Sequence, residues 1–233
     1  MNFHILTLFP EAIYGGVKHS IINRAIDAGH IKLEAVNIRD FADGRHAQCD
    51  DTPYGGGAGM VMMAPPIYAA YQHVKNKVPS KTRVVYMTPQ GVIFTQRKAE
   101  ELAKETDLVF LCGHYEGVDE RVIEEIVTDE ISIGDYILTG GELAACVVID
   151  AVARLKTGVL HNSESATDES FAETMVGGKP VKLLEYPQYT RPYDFLGKTV
   201  PDVLLSGHHK KIDEWRFEQA IERTKHKRPD LLQ

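Results

Sequence analysis

Apolar residues recur through the first two thirds of the chain in two alternating rhythms. The runs Phe3 to Leu8, Ile31 to Ile38, Arg83 to Met87, Leu108 to Cys112 and Ile131 to Leu138 are short, dense in apolar residues and bounded by turn formers, which predicts strands. Between them, Ser20 to Ala28, Pro65 to Lys75, Thr95 to Lys104, Asp119 to Ile126 and Gly141 to Lys156 space their apolar residues as one face of a helix does. Such alternation predicts an α/β sheet with substantial parallel pairing, though it leaves the strand order open.

The rhythm breaks at His161 to Glu169, where Asn, Ser, Glu, Thr and Asp leave little to bury, so a linker or loop and a domain boundary are expected there. A Tyr- and Pro-rich stretch, Tyr186 to Tyr193, follows. From Lys210 to Lys225, Ile212, Trp215, Phe217, Ala220 and Ile221 give a helix one apolar side.

Composition narrows the class. With 233 residues, 43% hydrophobic and 25% charged, the chain suits one sizeable core and a small second unit. No run approaches the roughly 18 apolar residues of a membrane span, and Phe3 to Phe9 lacks the basic leader and cleavage site of a signal peptide, so a cytoplasmic location without a membrane partner is expected. Cys49, Cys112 and Cys146 are widely separated and fall into no metal-ligand spacing, which predicts reduced thiols and no zinc site. A net charge of -7 argues against a nucleic-acid partner, since phosphates are held mainly by Lys and Arg. The distribution softens this: residues 176–233 hold 11 Lys+Arg against 8 Asp+Glu, leaving 15 against 25 for residues 1–175.

Three glycine-bearing segments stand at the ends of predicted strands, where an open α/β sheet presents its ligand site. They are Thr88 to Gly91, Cys112 to Gly117 and Ser132 to Glu142. Glycine there lets main-chain groups approach a ligand closely. A further cluster, Asp50 to Met60, lacks the Gly-Lys-Ser/Thr ending that holds a nucleotide triphosphate, which disfavours a nucleotide hydrolase; a loop contacting a bulky polar substrate suits it better.

Several strings, taken together, resemble one family. Asp51 to Met60, Tyr115 to Val122, Ser132 to Tyr136, Gly140 to Leu143, Tyr189 to Pro192, Pro201 to Gly207 and Arg228 to Leu232 are similar, in the same order, to the TrmD family of bacterial tRNA (guanine-N1)-methyltransferases. The resemblance implies a SPOUT-type parallel sheet with a deep trefoil knot, which no periodicity could reveal, plus a small, mostly helical C-terminal domain. It implies a knotted cofactor-binding domain over 1–160, a linker over 161–175 carrying the catalytic acid/base, and a tRNA-binding domain over 176–233. The implied cofactor is S-adenosylmethionine, with a magnesium requirement that no residue cluster places. The implied partners are the tRNA anticodon arm and a second copy of the chain, with active sites at the interface of the homodimer. The implied reaction methylates N1 of guanosine at position 37 of the tRNA; a noncatalytic RNA-binding module of the same fold is the alternative.

On the same resemblance, Tyr86, Pro89, Gly113, Tyr115, Glu116, Ile133, Gly134, Tyr136, Leu138, Gly140 and Gly141 surround the cofactor, and Arg154 stabilises charge on guanine O6. Taken by itself, Arg154 would be an exposed partner for Asp150 at helical spacing. Glu169 stands where the family usually has Asp as general base, and Asp168 is the other candidate. His114 replaces a common Arg and Ala144 a common Pro. For RNA the candidates are Arg45, His46, Asp50, Arg191, His208, His209 and Lys210, with Arg223, Lys225, Lys227 and Arg228 as a secondary group.

Overall fold

The structure, a computed structural model, describes residues 1–44, 47–160 and 169–232. The chain divides into two compact units, Met1–His161 and Asn162–Gln233. The first contains β1 (Asn2–Thr7), α1 (Pro10–Val17), α2 (Ser20–Asp27), β2 (Lys32–Asn37), β3 (Asp50–Asp51), β4 (Val61–Met62), α3 (Ala64–Lys75), β5 (Arg83–Ile93), α4 (Gln96–Leu102), β6 (Asp107–Cys112), α5 (Glu120–Ile126), β7 (Asp129–Ser132) and α6 (Glu142–Ala153). The second contains β8 (Glu173–Val176), β9 (Lys179–Lys182), β10 (Asp194–Phe195), β11 (Lys198–Thr199) and α7 (His209–Lys227).

In the first unit a five-stranded sheet runs β2-β1-β6-β5-β7, with every pairing parallel. Its central strands β1 and β6 and the first half of β5 are buried on both faces, as a parallel sheet requires. Along β6, Leu108, Phe110 and Cys112 enter one core with Phe3, Ile5 and Val85, while Val109 and Leu111 enter the other with Leu6, Val84 and Tyr86. The first core is closed by α1, α2, α4 and α6, the second by α3 and α5, giving a three-layer sandwich. Side chains cap two of the predicted helices at their starts: Thr95 Oγ1 accepts from Lys98 N, and Asp119 accepts from Arg121 N.

Three elements depart from the sequence pattern. β7 ends at Ser132 rather than Leu138, because Gly134 takes a φ of +148° and turns the chain off the sheet, leaving Ile133 to Leu138 as a loop. α1 was not predicted: Gly15 and Gly16 depress its propensity, and packing sustains it, with Ile13 and Val17 buried in the first core and Gly16 against Cys146. In the second unit the hairpins β8-β9 and β10-β11 accompany the long helix, and β8 begins inside the segment expected as linker.

No helix among the described residues is long and apolar enough to cross a membrane.

Candidate active site

The carboxyl ends of β5, β6 and β7 open into a cleft of about 420 Å³ in the first unit. This is where a parallel sheet leaves main-chain groups free for a ligand. β5 reaches the cleft through an irregularity: its register against β7 shifts between Met87 and Val92, and the strand resumes to Ile93. Gly91 lies in that shift, and a Cβ there would run into the backbone of Glu130 and Ile131.

The loop after β6 is fixed from below. Glu116 N–H donates to Met60 O at 3.0 Å, Met62 N–H to Gly117 O at 2.9 Å, and Gly117 N–H to His114 O at 3.2 Å. Tyr115 therefore adopts a φ of +60°, an uncommon conformation for a non-glycine residue. The loop after β7 returns across it: His114 and Gly140 form an antiparallel bridge, and Gly141 N–H donates to Gly113 O at 2.9 Å. Gly141 also begins α6, and a Cβ on it would lie 2.9 Å from Cys112 Cα, so the helix start can sit this close to β6 only with glycine.

Chemically the cleft combines main chain, apolar side chains and the carboxylates of Glu116, Glu120 and Glu130. Ile133, Leu138 and the rings of Tyr86, Tyr115 and Tyr136 supply apolar surface. Burial, reinforced by the charges of Glu130 and Glu120, pushes the Tyr86 hydroxyl up to about 12, so it stays protonated and can donate. Glu116 lies beside the glycine-rich segment, since a Cβ at Gly59 would strike its side chain. The cysteines are free and buried, and burial raises all three thiols, that of Cys146 to about 11. None therefore offers a thiolate nucleophile at neutral pH. No group of three or more His, Cys, Asp or Glu among the described residues could hold a metal ion.

The structure brings all of Tyr86, Pro89, Gly113, Tyr115, Glu116, Ile133, Gly134, Tyr136, Leu138, Gly140 and Gly141 to this one cleft. The departures His114 and Ala144 line it too. Arg154 forms the C-cap of α6 in the first unit, while Glu169 opens the described part of the second, its carbonyl accepting from Ala172 N–H. Asp168, Arg45 and His46 lie outside the described residues.

Of the other RNA candidates, Asp50 is in β3, Arg191 is exposed, and His208, His209 and Lys210 begin α7. Cations in a helix's first turn oppose its dipole, whereas Lys225, His226 and Lys227 in the last turn complement it. In the N-terminal group, Lys210 has Glu214 one turn on at 3.9 Å. Arg228 is engaged by Asp230 at 2.6 Å, and Arg223 reaches Glu185 O at 3.4 Å.

One residue of consequence escaped the pattern. Glu142, in the first turn of α6, is only 6% exposed and accepts the Thr7 hydroxyl at 2.7 Å. A glutamate opening a helix ordinarily signals only a favourable dipole contact on the surface, so the sequence held no sign of its burial.

A family model described as tRNA (Guanine-1)-methyltransferase TrmD matches residues 1–233. Curated relatives named tRNA (guanine-N(1)-)-methyltransferase include one from Lachnospira eligens, 56% identical over 233 residues, covering 100% of this chain and 95% of the relative. The relative from Anoxybacillus flavithermus is 53% identical, with 100% and 92% covered, and that from Clostridioides difficile 52% identical, with 99% and 97% covered.

Proposed function

Because the chain belongs to the TrmD family of tRNA (guanine-1)-methyltransferases, we propose that it transfers the methyl group of S-adenosylmethionine to N1 of guanosine at position 37 of tRNA. What supports this reading most directly is the convergence of three glycine-bearing segments on one cleft whose lining is main chain, apolar surface and the carboxylates of Glu116, Glu120 and Glu130. That combination suits a purine nucleoside bearing a cationic chain: loop amides and carbonyls read the base edge, Ile133 and Leu138 pack against its faces, and Glu116 balances the positive charge. When bound, the cofactor supplies an electrophilic methyl group.

The chain's own residues supply the remainder. Guanine N1 carries a proton at neutral pH, so an acidic side chain must remove it as alkylation proceeds, and Glu169 is assigned that task, with Asp168 as the alternative. Arg154, at the C-cap of α6, places positive charge where guanine O6 becomes negative. Magnesium finds no carboxylate cluster among the described residues, and no step is assigned to it.

The finer architecture follows the same reading. A trefoil knot fits a chain whose loop after β7 crosses back over the loop after β6, through the His114–Gly140 bridge and the Gly141-to-Gly113 hydrogen bond, before α6 begins. A homodimer with active sites at its interface fits the exposure of Leu143 (60%) and Val147 (49%), one turn apart on α6. The second unit, with His208, His209, Lys210 and Arg191, holds the anticodon arm, and a tRNA substrate places the reaction in the cytoplasm. The noncatalytic alternative gains no support, since the relatives are named for the activity.

Incubation with methyl-labelled S-adenosylmethionine and an unmodified tRNA transcript carrying guanosine at position 37, followed by nucleoside mass spectrometry, should yield 1-methylguanosine. Label recovered in another nucleoside, or in none, rejects the assignment.

A further inference from the structure

Glu142 is a buried carboxylate at the head of α6, adjacent to the cleft but absent from its lining. Its Oε1 accepts the Thr7 hydroxyl at 2.7 Å, and that same hydroxyl oxygen accepts Phe9 N–H at 2.9 Å, fixing the end of β1. Its Oε2 faces His114 Nε2 at 4.0 Å. The space between them exists only because residue 140 is glycine: a Cβ there would lie 2.5 Å from Glu142 Oε2 and 2.6 Å from His114 Cδ2. The imidazole is held in place by Phe9, with ring centroids 4.9 Å apart, and its backbone N–H points to Met62 Sδ at 3.2 Å.

A buried carboxylate satisfied on one oxygen by a neutral hydroxyl still favours a cation at the other. Phe9, Tyr115, Met62 and Glu142 are the groups set against His114, and among them Glu142 alone is an acid. We propose that His114 is a positioning residue that acts through Glu142. The imidazole and the buried carboxylate, facing each other across the gap left by Gly140, pin the loop bearing Tyr115 and Glu116 onto the head of α6. This sets the cleft to the cofactor. The pair takes no part in proton removal or methyl transfer. The inference rests on the cleft being the S-adenosylmethionine site and adds the side-chain pair that shapes it.

The test is steady-state kinetics with S-adenosylmethionine as the varied substrate, on the full chain and four variants, with thermal unfolding as a check on folding. His114→Phe and Glu142→Gln should each raise the cofactor KM about tenfold, the effect expected for losing one polar contact that fixes the loop. The kcat at saturating cofactor should stay within about twofold, since only binding geometry is lost. The double variant should be no worse than either single one, because both remove one contact. His114→Arg, which sets a donor opposite Glu142 again, should restore the KM.

Were His114 instead a direct cofactor contact, Glu142→Gln would leave KM unchanged. That result, additive effects in the double variant, or His114→Arg as impaired as His114→Phe would each overturn the proposal. Should Glu142→Gln not fold, Thr7→Val, which strips the hydroxyl from the same carboxylate, takes its place with the same expected rise. An unmutated chain that binds no S-adenosylmethionine in calorimetric titration overturns the reading of the cleft itself, and the inference with it.

Discussion

Glu169 is one methylene longer than the aspartate usual at that place in the family, and a general base is defined by reach before it is defined by acidity. If it removes the N1 proton, Glu169→Gln should lower the single-turnover rate by about 10²- to 10⁴-fold while cofactor affinity, read by calorimetry, stays near that of the unmutated chain. Full activity in the variant takes Glu169 out of the mechanism. At this scale the cleft was legible in part, because glycines near strand ends, such as Gly113 and Gly141, have a backbone reason to be glycine that survives without coordinates, while the individual cofactor residues came from the family resemblance. Glu142 was not legible, since burial of a carboxylate depends on Thr7 and His114, which lie 135 and 28 residues away in sequence.

Among elements, the join between β5 and β7 matters most to the cleft, because Tyr86 to Gln90 of β5 and the loop after β7 form its walls. The join is fastened at its far end by Arg83, whose guanidinium binds Asp129 through Nε at 2.9 Å and through a second, closer contact, with Lys98 3.1 Å away. Burial raises the Asp129 carboxyl, but hydrogen bonds from Arg83, Thr128 and Lys98 outweigh it and hold the group at about 2. A folded value below the ordinary carboxylate range gives stability that is present above about pH 4 and is lost as pH falls toward 2. Asp129→Asn should therefore unfold at lower denaturant by about 2–3 kcal/mol at pH 7. Its deficit should shrink between pH 4 and pH 2, and a constant deficit across that range would show that shape rather than charge is at stake. Periodicity located β6 and the helices on either side of it to within a few residues, but it stopped β5 at Met87, where the strand continues past its register shift to Ile93. It overran β7, since Ile133 to Leu138 are as apolar as a strand and nothing local says that they line a cleft. It passed over α1, whose helical state is set by contact with α6.

For the molecule as a whole, the exposed pair Leu143 and Val147 on α6 bears on assembly. Apolar residues one helical turn apart and open to water are costly on a monomer and favourable at an interface. Under the homodimer reading, Val147→Asp should shift the chain to a monomer in sedimentation velocity and remove turnover with it. A variant that stays dimeric and active assigns the contact elsewhere. Neither a knot nor a dimer can be read from spacing, because both are properties of how segments pass or meet in space. The contrast between an acidic first part and a basic second part was visible in the charges alone.

The three thiols remain protonated and shut inside the first unit, and Tyr54, at 99% exposure, stands at the crest of the glycine-rich segment. A maleimide dye would therefore ignore the native sulfurs, so a single Tyr54→Cys replacement gives the intact chain one attachment point. Its fluorescence would report, without any background to subtract, how that segment moves as tRNA arrives.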